Sequence, residues 1–167
     1  MSPHSPEGAA PDPFHAHDHA HCSETVLRRA EEQARAEGVR LTPVRRRVLE
    51  ILLEHHRALG AYDVLERLAA EGLGKQPPVA YRALEFLVEN GLAHRIQRLN
   101  AFTACQSAHA DGQAPAFLIC RECQTVDELD AANLRAELSA TAGQAGFTVE
   151  RATIEALGLC AACAGRA

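Results

Sequence analysis

Tryptophan is absent from this chain, methionine occurs once, and only two tyrosines and five phenylalanines are present among 167 residues. That scarcity excludes cores built around large aromatic rings. Leu and Ala, the main contributors to an apolar content of 47%, are left to fill one or two small domains. No run of about 18 apolar residues occurs, which excludes a membrane-spanning helix. No apolar signal-peptide core follows the N-terminus, so the expected location is the cytoplasm. Also missing are a Ser/His/Asp set, a glycine-rich phosphate cradle and carboxylates paired for acid–base work. Neither an enzyme nor a small-molecule substrate is expected.

An overall excess of positive charge is lacking too, the formal balance being −5. The average hides a gradient. Residues 1–39 carry three basic and seven acidic side chains, residues 40–98 ten and seven, and residues 99–167 four and eight. Only the middle third is basic, and all but one of its cations are Arg. A local basic surface binds phosphate whatever the charge of the whole chain. A solvated helical face produces the same modest balance, so charge alone decides nothing.

What is present in quantity is cysteine. Four of the six form Cys120-Arg-Glu-Cys123 and Cys160-Ala-Ala-Cys163, with 36 residues between the pairs; Cys22 and Cys105 are left over. In a chain read as cytosolic, close-spaced pairs favour metal over disulfides. Each Cys-x-x-Cys turn offers two thiolates on one side of a bend, and four sulfurs satisfy tetrahedral zinc at about 2.3 Å. The competing reading is a pair of redox dithiols. That chemistry wants the first Cys at a helix N-terminus, whereas Cys160 lies seven residues from the last residue, with no room expected for a helix. Structural zinc is the expectation.

Along the chain, residues 1–22 read as a disordered tail rich in Pro, Ala and His, in which His15, His17, His19, His21 and Cys22 offer weak metal ligands. A helix is predicted from Ser23 to Gly38. Thr42 and Pro43 start a second, as N-cap and first helical residue. Val44, Val48, Ile51 and Leu52 form its apolar stripe, Arg45, Arg46 and Arg47 lie off it, and His55 and His56 read as solvent-exposed residues at its end. A third helix is predicted over Ala61–Ala70 and a fourth from Pro77 to Asn90. The fourth buries Val79, Leu84, Leu87 and Val88 and turns Tyr81, Arg82 and Glu85 outward. Alternating segments over 93–97 and 101–104 make a hairpin. This order predicts a winged helix-turn-helix over 23–105, its hairpin the wing. Residues 106–115 read as a hinge loop. Strand-like 116–119 and 125–128, helical 131–142 and extended 147–159 then make a small α/β domain over 116–167. The fold class is α+β.

A second set of ligand-type residues is scattered: His94 on the first wing strand, Cys105 ending the second, His109 in the hinge loop, and Glu128 beyond Cys123. One ion holding all four clamps wing, hinge and C-terminal domain together. A lone His at a strand start and a buried Cys equally fit plain structural roles, and spacing leaves the choice open.

The stretch Pro77-Pro-Val-Ala-Tyr-Arg-Ala-Leu-Glu-Phe-Leu-Val-Glu-Asn-Gly-Leu-Ala-His94 closely resembles the ferric-uptake-regulator superfamily, nearest its zinc-uptake-regulator branch. The resemblance runs over about residues 24–163 and includes both Cys-x-x-Cys pairs in order. It implies structural zinc at Cys120, Cys123, Cys160 and Cys163, and a regulatory zinc at His94, Cys105 and Glu128. The fourth regulatory ligand of the family is a His further down the loop. Gln113 stands eight residues past Cys105 here, so His109 takes that role in this reading, with Asp111 the alternative. Tyr62 and Arg82 match the family's DNA-contacting tyrosine and recognition-helix arginine. Tyr81, Lys75, Arg45 and Arg46 are added as candidate DNA contacts.

The function so implied is a zinc-responsive repressor. It binds double-stranded operator DNA as a homodimer when its regulatory site is filled, and it controls zinc-uptake genes. The soft thiolate of Cys105 favours Zn²⁺ over Fe²⁺ or Mn²⁺. The alternatives are an iron- or peroxide-sensing relative and, from other classes, a zinc-storage protein or a thiol oxidoreductase.

Overall fold

The structure, a computed structural model, describes residues 19–106 and 115–166. The four N-terminal helices are α1 (His19–Ala36), α2 (Pro43–Leu53), α3 (Ala61–Ala70) and α4 (Pro77–Glu89). α1 starts four residues before the expected Ser23, so the last part of the predicted tail is helical. Thr42 caps α2 as anticipated, its side chain accepting from Arg45 N at 3.4 Å with Pro43 in the first turn. Gly60 caps α3, where Asp63 Oδ2 accepts the Gly60 N–H at 2.9 Å. The turn into α4 depends on Gly74, with φ +155°; a Cβ there would lie 2.7 Å from Val79 Cγ1.

Helical periodicity places Val48, Leu49, Ile51 and Leu52 of α2 against Val64 and Leu68 of α3 and Leu84 and Leu87 of α4, all fully buried. Val79 and Val88 sit at the rim of this core; Ala80 and Ala83 take the interior positions on α4. Leu84→Ala is expected to lower unfolding free energy by about 2–5 kcal/mol, because a fully buried side chain leaves a cavity that helix packing only partly closes. Urea denaturation followed by circular dichroism reads it out; a loss under about 1 kcal/mol would mean that the helices re-pack.

The hairpin follows as β1 (Ala93–Ile96) and β2 (Ala101–Ala104), paired antiparallel with His94 opposite Thr103. After the loop come β3 (Ala116–Cys120), β4 (Val126–Leu129), α5 (Ala132–Gln144), β5 (Ile154–Gly158) and a single turn, α6 (Ala161–Ala164). The sheet order is β4-β3-β5, with β4 antiparallel and β5 parallel to the central strand. The strand–strand–helix–strand order is the predicted one, with two corrections. The long extended segment shrinks to 154–158, because β3 offers only five residues to pair with. A short helix does follow Cys160, since four residues suffice for one turn.

A second small core of Ile96, Phe117, Ile119 and Val126, flanked by Ala58 and Leu99, joins the wing to the C-terminal sheet. The segment after α2 is threaded between them: Val126 N donates to His56 O at 2.9 Å, and isolated bridges link Arg57 to Thr125 and Leu59 to Phe102. Glu155 on β5 adds a clasp, its carboxylate accepting from Gln97 N at 2.6 Å and Arg98 N at 2.9 Å in the wing turn. α5 buries none of its side chains, and Leu134, Leu138, Phe147 and Leu157 are exposed.

Candidate metal centres and nucleic-acid face

Cys120 ends β3 and Cys123 lies in the turn to β4, a turn tight enough to put Gln124 at φ +60°. Cys160 is the N-cap of α6 and Cys163 lies within its single turn. Parallel pairing of β3 with β5 carries the two turns to the same end of the sheet. The four sulfurs lie within 4.8 Å of one another, with Cys123 Sγ and Cys160 Sγ 3.8 Å apart. Two ligands of a tetrahedral ion at about 2.3 Å stand roughly 3.8 Å apart, so the donor set fits zinc.

The thiols are unequal. Burial works against ionising Cys120, but N–H groups of Cys123, Cys160 and Glu122 aimed at its sulfur outweigh it and bring the pKa to about 6. One of these donors, Cys160 N, is 3.4 Å from Cys120 Sγ. Burial likewise opposes ionisation of Cys123, and Thr125 lowers its pKa through its hydroxyl, 3.2 Å away, and its N–H. Cys163 is pushed up to about 12, first by Cys160, then by burial and the other two sulfurs. Four thiolates this close repel one another without a cation among them.

The second cluster assembles three of the four predicted regulatory ligands. His94, Cys105 and Glu128 bring their donor atoms within 4.8 Å of one another. Cys105 Sγ is 3.8 Å and His94 Nε2 3.5 Å from Glu128 Oε1. Cys105 and Glu128 are each 7% exposed, so the thiol and carboxylate are both held out of bulk water. A buried carboxylate beside a thiol and an imidazole is costly unless an ion or hydrogen bonds compensate, and a mixed N/S/O set of this kind suits zinc. His109, Asp111 and Gln113 lie outside the described residues.

A layer around this cluster had no signal in the sequence. Gln106 N donates to Glu128 Oε2 at 2.9 Å, and the Gln106 side-chain amide meets His56 Nδ1 at 3.0 Å. Arg29 of α1 donates to the carbonyls of Gln106, at 3.0 Å, and Cys105, at 3.1 Å. His56 is therefore half-buried and engaged, unlike the solvent-exposed residue expected; His55 is exposed. Arg29 and His56 lie 50 or more residues from Gln106 in the chain, beyond the reach of any spacing rule.

The candidate nucleic-acid contacts are distributed unevenly. Tyr62, at the start of α3, is 68% exposed. Tyr81 and Arg82 are exposed on α4, and Lys75 is exposed in the loop before it. Arg45 lies with its guanidinium carbon 3.4 Å from the Phe86 ring centroid and donates to Arg40 O. Arg46 pairs with Glu31 at 2.7 Å and Glu50 at 3.1 Å. Arg47 pairs with Glu71, Glu50 and Glu54, and Arg67 also pairs with Glu54. Much of the arginine charge on α2 thus ties α1, α2 and α3 together.

No helix among the described residues is long and apolar enough to cross a membrane. Helices α2–α4 with their hairpin, joined to a small sheet that carries two cysteine-bearing ligand clusters, define the class: winged-helix proteins with candidate metal centres. The chain belongs to the ferric uptake regulator family, which it matches over residues 36–157. It is 35% identical over 141 residues to the zinc uptake regulation protein of Escherichia coli (strain K12), covering 84% of this chain and 82% of that one. Among solved structures, a zinc uptake regulator complexed with zinc and DNA superposes with a TM-score of 0.79 at 34% identity, over 86% of this chain and 96% of the other. The holo form of XcZur gives 0.75 at 35% identity, over 84% and 98%, and its apo form only 0.51, over 86% and 99%. At equal identity, this chain superposes better on the holo form than on the apo form.

Proposed function

We propose that this protein is a zinc-responsive transcriptional repressor that binds operator DNA as a homodimer when its regulatory site is filled, and that it controls genes of zinc uptake. The observation that carries the reading is the convergence of His94, Cys105 and Glu128 from β1, the end of β2 and β4. Ligands drawn from both sides of the hinge loop make site occupancy and domain placement one event. The zinc-named relatives support the choice of metal. When bound there, zinc supplies a cross-link between wing and sheet; at the four cysteines it supplies folding energy to the C-terminal half.

In this reading residues 23–105, with the start of α1, form the DNA reader, 106–115 the hinge and 116–167 the dimerising domain; the rest of the predicted tail, before α1, lies outside the described residues. The exposed Leu134, Leu138 and Leu157 support dimerisation through α5 and the outer edge of β5. Arg82 reads a guanine edge by paired hydrogen bonds from α4, with Tyr81 beside it, and Tyr62 meets a thymine methyl or a phosphate. Lys75 and Arg45 neutralise phosphates, Arg46 less so while it keeps its carboxylate partners.

The test is fluorescence anisotropy on a candidate zinc-importer promoter with free Zn²⁺, Fe²⁺ and Mn²⁺ buffered separately. Zinc is expected to tighten binding about a hundredfold, which needs about 2.7 kcal/mol of coupling. Arg82→Ala is expected to cost about 1–3 kcal/mol, roughly 5- to 150-fold in affinity, without changing metal uptake. Tightening by iron or manganese instead would place the protein with the metal-sensing relatives of other specificity. Stoichiometric zinc uptake with no effect on DNA would make it a zinc-storage protein.

A further inference from the structure

Cys105 ends the wing and Gln106 opens the hinge loop, and their shared peptide unit is gripped from several sides. Arg29 reaches across from α1 with a forked guanidinium, one nitrogen on the Gln106 carbonyl and the other on the Cys105 carbonyl. The Cys105 carbonyl and the Gln106 N–H are opposite ends of one planar peptide. A donor fixed on the first therefore aims the second, and that N–H is the one that meets Glu128 Oε2. Holding Oε2 leaves Oε1 facing Cys105 Sγ and His94 Nε2. The cationic fork also polarises the peptide and strengthens its N–H as a donor. Cys105 N is anchored to Leu92 O at 3.0 Å, which completes the restraint on the backbone carrying the thiol.

From this geometry we infer that Arg29 is the positioning residue of the regulatory metal site: through the Cys105–Gln106 peptide it presets both the thiol and the carboxylate, and it ties α1 of the reader to their placement. The inference rests on the regulatory-site reading above. Arg29 touches no ligand atom itself. Its effect on metal passes through one peptide group and one carboxylate, the kind of outer contact whose loss costs about 10- to 100-fold in metal affinity. Coupling is reciprocal, so a filled site also holds α1 more firmly against the end of the wing.

The experiment uses the full chain with the four-cysteine site already loaded with zinc. The second equivalent is titrated as Zn²⁺ against a competing chelator, and in parallel as Co²⁺, whose thiolate charge-transfer and ligand-field bands report the geometry at Cys105. Arg29→Met keeps the stem and removes the fork. It is expected to weaken the second equivalent about 10- to 100-fold and to change the Co²⁺ bands, while the first equivalent is retained. Arg29→Lys keeps a cation that reaches one carbonyl at a time, and is expected to recover part of both effects; it also serves should the Met variant fold poorly. Wild-type affinity and wild-type Co²⁺ bands in both variants would overturn the role of Arg29 and leave the regulatory site standing. Failure of the unsubstituted protein to take a second equivalent would overturn both.

Discussion

Replacing Cys105 by serine is expected to abolish the response of DNA binding to zinc. The substitution is nearly isosteric in a site that is almost fully enclosed, so packing against β1 and β4 survives. A hydroxyl does not ionise near neutral pH as a metal-bound thiol does, and it is a harder, weaker donor for Zn²⁺. The variant keeps its zinc at the four cysteines, because Cys105 belongs to the other cluster. Operator affinity in buffered zinc is expected to fall to that of the protein without regulatory metal, about a hundredfold or 2.7 kcal/mol. Anisotropy titration together with metal analysis checks both halves of the statement. Retention of zinc-tightened binding by Cys105→Ser would remove this cluster from the sensing role.

Disrupting the four-cysteine site is expected to have the larger structural effect. Its ligands join the end of β3, the following turn, and the cap and body of α6, while α5 contributes no buried side chain to a core beneath the sheet. With so little apolar burial in this half, metal binding supplies much of its folding energy, as in other small zinc-stapled units where about 10–16 kcal/mol is at stake. Cys160→Ala, or a strong chelator, is expected to melt β3–β5 while α1–α4 stay helical, seen as a split thermal transition and loss of β-sheet signal. Unchanged melting after complete zinc removal would show that the sheet holds itself.

Acid acts in the same direction. Zinc needs the thiolates, so metal binding weakens and the zinc-dependent part of stability is lost as falling pH lets protons compete. With the sulfurs placed as they are, Cys120, near 6, ionises more readily than Cys163, near 12, so at neutral pH zinc displaces a proton from Cys163 and little from Cys120. A weakly buffered titration with an indicator dye reads that release.

The N-terminal helices were legible because their signals are local. Thr42-Pro43 caps a helix wherever it occurs, and the α2 stripe follows helical period. The Cys-x-x-Cys pairs were legible for the same reason: each is a self-contained bend, and two such bends need only be brought together. The errors fell where pairing or termini decide. The start of α1 and the one-turn α6 lie at edges where few local cues exist, and β5 is only as long as its partner strand.

The chain by itself determined the fold class, the four-cysteine set and the exposed Tyr81 and Arg82, because side-chain period and close spacing are properties of neighbouring residues. Residue spacing left open whether His94, Cys105 and Glu128 share one site; the family resemblance implied it, and the tertiary structure brings their donor atoms within 4.8 Å of one another. Their elements are separated in sequence and meet only through the Ile96, Phe117, Ile119 and Val126 core and the Glu155 clasp. The tertiary structure also decided that Arg46 and Arg47 are engaged by carboxylates and that Arg29 and His56 frame the cluster of His94, Cys105 and Glu128. Long-range contacts of that kind depend on how packed elements are oriented, which no window of sequence encodes.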